Sequence, residues 1–212
     1  MAFSPQAAAQ ACLANGRRLL QLASQPLPVP DVGDDLCRSA LFTAVAAIDT
    51  YMHWLVFQRL LKVRYRSGIP KALARAEIPF SALATLANSA IEAQRNGSRI
   101  RPWVQVKNAL QNQLLSQTFQ SYDQVATAFA LSGIDRAWPK VATQLGVQPS
   151  DIKQRLNHLV HRRNQIAHEG DIMRMSKPHN VRFNSIDHAT VAADVNWVET
   201  LLNAMQAVVA AE

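Results

Sequence analysis

The sequence predicts an all-α protein, and three observations carry that prediction. Apolar residues recur at helical spacing with no convincing alternating run, Pro, Gly and Ser punctuate the chain at helix-length intervals, and capping residues stand where the periodic stretches begin. With 212 residues, 49% of them hydrophobic, one domain spanning residues 1–212 can fill a sizeable core without disulfide or metal staples.

Taken in order, Ser4 and Pro5 offer a cap and a first-turn residue for a helix reaching about residue 22. The Pro-rich stretch 25–30 ends it and acts as a connector, so residues 1–34 form an N-terminal helix and linker whose assignment is left open. A long second helix is expected from after Asp34 to about residue 66, as the centre of the core. Next come a short helix after Lys71, a break at Pro79, a helix over 81–95, and helices over 102–117, 121–131 and 135–145. Residues 150–168 form a further helix, with Ser150 as its cap, Asp151 favourable to the dipole and Gly170 beyond its end. A loop over 171–184 then leads to a last helix, capped by Ser185 or Asp187, that runs to about residue 210.

Composition narrows the function classes. Cys12 and Cys37 stand in no zinc-like or CxxC spacing, which argues against a cysteine metal site and for a reducing compartment. The N-terminus lacks a secretion-signal pattern, and the apolar stretch 40–57 is interrupted by Asp49 and His53, making it a poor membrane span. A cytoplasmic protein without membrane partners is expected. Sixteen Arg and six Lys against 15 acidic residues leave a net charge of +7, which favours a polyanionic partner.

Polar residues on apolar faces mark the candidate site. In the 150–168 helix, Ile152, Leu156, Leu159, Val160 and Ala167 share a stripe at about 100° per residue, and Arg163 falls in its middle. Asn157, His161, Asn164 and His168 form a second, uncharged polar stripe beside it. In the long second helix, Arg38 and Asp49 project from the face made by Leu41, Phe42, Val45, Met52, Val56 and Leu60, with His53 at its edge. Buried charges need partners, so Asp49 is expected to pair with a basic residue such as Arg163. A structural ion pair is the alternative at the same positions.

The run Leu159-Val160-His161-Arg162-Arg163-Asn164-Gln165-Ile166-Ala167-His168-Glu169-Gly170-Asp171 resembles the signature of HEPN domains, an Arg followed after four to six residues by His. More narrowly it resembles the RiboL-PSP-HEPN branch, and stretches 40–56, 115–120 and the last helix agree in kind and order. The resemblance implies an antiparallel helical bundle with additional helices that pairs as a homodimer and brings two copies of the motif to one cleft. It also implies a metal-independent endoribonuclease without cofactor, in some relatives a toxin or an effector of phage defence. Such an enzyme would be restrained by a cognate antitoxin or regulatory protein.

RNA is cut without metal when its 2′-OH attacks the adjacent phosphate, a reaction that needs proton transfer and charge stabilisation. His168 matches the first role and Arg163 the second. Asn164, Asp49, His53, Arg162 and Glu169 are the candidate supporting or RNA-binding residues. Five positions separate Arg163 from His168, about 140° around an ideal helix, so a second chain or a distortion at the helix end must bring them together.

Three rival readings fit parts of the same sequence. Residues 141–152 have helix-turn-helix spacing and suggest a DNA-binding protein, although Asp151 would sit near phosphates. His158, His161 and His168 are close in sequence, but no carboxylate or cysteine completes a metal-ligand set. A catalytically silent helical dimer, serving as antitoxin, adaptor or RNA-binding module, is the remaining alternative. Trp54, Trp103, Trp138 and Trp197 read as core or interface residues rather than as a stacking platform.

Overall fold

The computed structural model describes residues 4–26, 29, 31–62, 69–98, 102–174 and 180–212, and among these it contains helices and no strand. In chain order the helices are α1 (Pro5–Ala23), α2 (Val32–Lys62), α3 (Lys71–Ala74), α4 (Phe80–Arg95), α5 (Pro102–Leu115), α6 (Tyr122–Leu131), α7 (Ala137–Leu145), α8 (Pro149–Glu169) and α9 (His188–Ala210).

Local chemistry explains most of the boundaries. Ser4 caps α1 by accepting from the Ala7 N–H at 3.1 Å, and Pro5 needs no partner for the donor it lacks. Ser121 opens α6 through a capping box with Gln124. The structure moves the start of α8 from the expected Ser150 to Pro149, with Gln148 as the cap. Gln148 and Asp151 satisfy each other's backbone donors there, and Pro149 presets the first helical φ. Of the two candidate caps for α9, Asp187 is used, accepting from the Thr190 N–H at 2.7 Å. The start of α2 likewise lies two residues before Asp34, which places Asp34 and Asp35 in its first turn where the helix dipole favours them. Its expected continuation over 63–66 falls outside the described residues.

Helix α2 is the spine of the bundle. Ala44, Ile48, Tyr51, Met52, Leu55 and Val56 are all at most 2% exposed, and α1, α5, α6, α8 and α9 pack around them. By length and composition α2 could cross a membrane, yet most of its apolar side chains are buried against the helices around it. Contacts give the relative senses of the helices. Cys12 meets Thr50 while Gly16 meets Thr43 and Ala40, so α1 runs antiparallel to α2. Tyr51 bonds to Gln206 and Arg59 to the Val209 carbonyl, which sets α9 parallel to α2. Arg155 pairs with Asp194 and Arg162 reaches the Ser185 carbonyl, so α8 runs back against α9. The close approach of α1 to α2 depends on Gly16, where a Cβ would stand 3.0 Å from the Thr43 hydroxyl and 3.3 Å from the Ala40 carbonyl.

The fully buried apolar side chains of α8 lie in its first half. Ile152, Leu156 and Leu159 are at most 1% exposed, whereas Ala167, on the same stripe, is exposed. The apolar stripe therefore outruns the core, and its last two turns form a projecting end. Residues 171–184, expected as a plain loop, carry an antiparallel bridge between Ile172 and Phe183.

Replacing Leu156, which is fully buried where α8 meets the core, by Ala should remove about 2–5 kcal/mol of stability. Chemical denaturation read by circular dichroism checks this, and a loss below about 0.5 kcal/mol would contradict the packing described.

Candidate active site at the end of α8

Gly170 terminates α8 in the left-handed conformation, φ +61°, and its N–H and that of Asp171 both return to the Gln165 carbonyl. Asp171 is itself left-handed, φ +56°, an uncommon conformation for a residue with a side chain. That backbone turn drives its carboxylate into the protein, where it is 1% exposed.

Four side-chain bonds receive it. Arg38 of α2 donates through Nε at 2.6 Å, Arg162 of α8 donates through Nη2 at 2.9 Å and also through Nη1, and Asn184 donates its amide at 3.1 Å. The two guanidiniums are anchored further. Arg38 donates to the Asn184 carbonyl at 3.0 Å and to Asp35 at 3.1 Å, and Arg162 to the Ser185 carbonyl at 3.2 Å. Burial by itself pushes the Asp171 carboxyl up. The bonds from Arg162, Arg38 and Asn184 outweigh it and hold the group below the usual carboxylate range. This cluster joins α2, the end of α8 and the stretch before α9.

With the inner side of α8 fixed by Arg162, its neighbours take defined directions. Arg163 is half-buried, its guanidinium carbon 4.8 Å above the Phe42 ring of α2, and Nη1 donates to the Asn164 side chain at 3.0 Å. Asn164 and His168 are exposed, and His168 makes no hydrogen bond or ion pair among the described residues. Glu169 accepts from Arg174 at 2.7 Å. Since α8 continues unbroken through Glu169, Arg163 and His168 keep their separation of about 140°, and no distortion within the helix brings them together.

The expected pairing of Asp49 with Arg163 is not formed. Asp49 lies two helical turns further along α2 than Phe42, about 10 Å away, and its carboxylate is engaged elsewhere. It accepts from the Phe119 N–H at 2.5 Å and the Gln120 amide at 3.3 Å, with the His53 ring nitrogen at 3.6 Å. Asp49 thus holds the segment leading into α6, and His53 packs 4.8 Å from the Phe119 ring. Arg162, read from sequence as a supporting or RNA-binding residue, is committed to Asp171 and positions the helix end instead. Sequence reasoning flagged Arg38 as needing a partner but missed Asp171 and Asn184. The available signal was an acidic residue directly after the terminating Gly170.

Among the described residues no group of three or more His, Cys, Asp or Glu side chains could hold a metal ion. Around the helix end, the exposed Arg182 pairs with no carboxylate among the described residues; of the other arginines there, Arg38, Arg155, Arg162 and Arg174 each pair with a carboxylate, whereas Arg163 has only an aromatic face and a neutral amide. A guanidinium so placed keeps donors for an incoming anion.

The family model described as RiboL-PSP-HEPN matches residues 17–210 of this chain. No curated protein and no solved structure matches.

Asp171 binds its proton more weakly in the folded protein than in the unfolded chain, so the unfolded state takes up protons first as pH falls. Its stabilising contribution is complete above the ordinary carboxylate range, near pH 4, and is lost as pH drops through the lower folded value. Asp171→Ala should cost about 3–5 kcal/mol at neutral pH, because two guanidiniums lose their buried partner. It should also flatten the acid limb of a stability-against-pH curve, as thermal melts between pH 2 and pH 7 would show.

Proposed function

We propose that this chain, which belongs to the RiboL-PSP-HEPN family, is a metal-independent endoribonuclease whose reaction is carried by Arg163 and His168 at the projecting end of α8. The observation that supports this most directly is the contrast among the arginines. Arg163 lacks a carboxylate partner among the described residues and shares one exposed helix end with an unengaged imidazole.

The chemistry follows from those two groups. The imidazole removes the proton of a ribose 2′-OH as the oxygen bonds to the adjacent phosphorus. The bond from phosphorus to the 5′-oxygen breaks, and that oxygen takes a proton from a second acid. The products are a 2′,3′-cyclic phosphate and a 5′-OH end. Charge accumulating on the phosphate oxygens is met by the Arg163 guanidinium, with the Phe42 ring holding its plane and Asn164 orienting it.

One chain offers one His168, and Arg163 points about 140° away from it. A homodimer answers both shortages, since two α8 ends facing each other supply one imidazole as base, one as acid, and an arginine opposite each. Ala167 and the half-buried Ile166 beside this end give such an interface apolar surface. In the cell the proposed role is that of a toxin or defence effector restrained by a second protein, because an unrestrained RNase harms its host.

Arg163→Ala and His168→Ala should each reduce cleavage of labelled RNA at least 100-fold, with the fold unchanged by circular dichroism. Wild-type activity should survive a chelator and leave cyclic phosphate ends. Equal background cleavage by all three proteins would sink the enzyme reading and leave a silent RNA-binding or adaptor module. A wild-type monomer with full activity in sedimentation would overturn the two-chain site.

A further inference from the structure

Phe42, Ala46, Asp49, His53 and Phe57 fall on one face of α2, within about 80° of one another, so a single line leads from Arg163 along the helix. About 16 Å beyond Phe42 this line reaches a cavity of about 150 Å³ between α2 and α5. His53, Trp54 and Phe57 form its α2 wall, with Leu60 at its floor. Gln111, Leu114 and Leu115 form the α5 wall, and Leu115 is 64% exposed at the rim.

The lining has a definite chemistry. Trp54 and Phe57 stand edge to face at 5.7 Å, a corner in which one ring can stack on a flat ligand while the other meets its edge. The Gln111 side chain makes no hydrogen bond among the described residues, so its amide can both donate to and accept from the edge of a ring. No acidic side chain among the described residues lines the cavity. Space for one flat heteroaromatic ring, an aromatic corner and one amide is the recognition chemistry of an unstacked nucleobase. An acyl chain or an apolar peptide would leave the Gln111 amide unused.

We propose that this cavity is a base-selecting subsite, which takes one unpaired nucleobase of an RNA whose scissile phosphate lies at Arg163 a few nucleotides away. The inference rests on the RNA-cleaving reading for the identity of its ligand. The other tryptophans lie outside the cavity lining: Trp138 is buried against Tyr122, Trp197 has the Arg155 guanidinium 4.8 Å from its ring, and Trp103 has the Lys107 ammonium at 5.9 Å.

The test uses the full-length protein and a series of short single-stranded RNAs, 2′-O-methylated throughout so that no 2′-OH can attack. Each carries one abasic site at a successive position, and binding is read by fluorescence anisotropy. Loss of the base at one position should weaken binding about tenfold, while the other positions change little. Leu115→Trp, which fills the cavity from its exposed rim, and Gln111→Ala, which removes the amide, should each abolish that positional difference. Equal effects at every position, persistence of the difference in both variants, or no binding to any of the RNAs would overturn the proposal. Unmodified RNA of the same sequence is incubated in parallel. Positional dependence without cleavage would retain the subsite and remove the nuclease.

Discussion

The Asp171 carboxylate, buried between the Arg38 and Arg162 guanidiniums, is the interaction on which the rest of the site depends. A carboxylate that is 1% exposed would be strongly unfavourable without partners, and the surrounding donors reverse that balance. The geometry is costly to build, since it requires a left-handed backbone at a residue other than glycine. In return, the end of α8 is tied to α2 and to the stretch before α9 at a point where its apolar stripe no longer reaches the core. Without that tie, the last two turns of α8 would have little packing to hold their rotation.

That rotation decides which arginine is structural and which is free. Arg162 and Arg163 are neighbours in sequence and identical in chemistry, yet 100° of helix separates their directions. One is turned onto Asp171 and the other onto the face of Phe42. An aromatic ring supports a guanidinium without neutralising it, so Arg163 remains available to an anion while staying ordered. On α2, Asp49 likewise holds the segment before α6, and His53, its ring nitrogen 3.6 Å from Asp49, lines the cavity.

A helix that remains regular through Glu169 cannot close a two-residue site across its own circumference. On the proposed RNA-cleaving reading the arrangement would be half of a site, which is the physical argument for a second chain, and such a chain would cover the exposed Ala167 on a stripe whose earlier turns are buried. A family relationship over residues 17–210 places the HEPN-type domain across the second half of α1 and onward to α9, somewhat further towards the N-terminus than the motif resemblance alone reached.

Much of this protein was legible in the sequence because helices are local objects. Periodicity, Pro and Gly punctuation, and capping residues such as Ser4 and Asp187 act over a few neighbours, and they located the helices to within a few residues. The positions of Arg163 and His168 at a helix end were legible for the same reason. Partners were not. Asp49 and Arg163 looked complementary on two helical wheels, but a wheel contains no axial register, and two turns of α2 separate Asp49 from the ring that Arg163 covers. Likewise nothing local announces that Asp171 turns inward to meet Arg38, 133 positions earlier. Which charges are satisfied, which guanidinium stays free, and that a cavity lies along the same face of α2 were decided only when α8 docked against that helix. Pairing of buried charges depends on distance in three dimensions, and the sequence carries no direct measure of that distance.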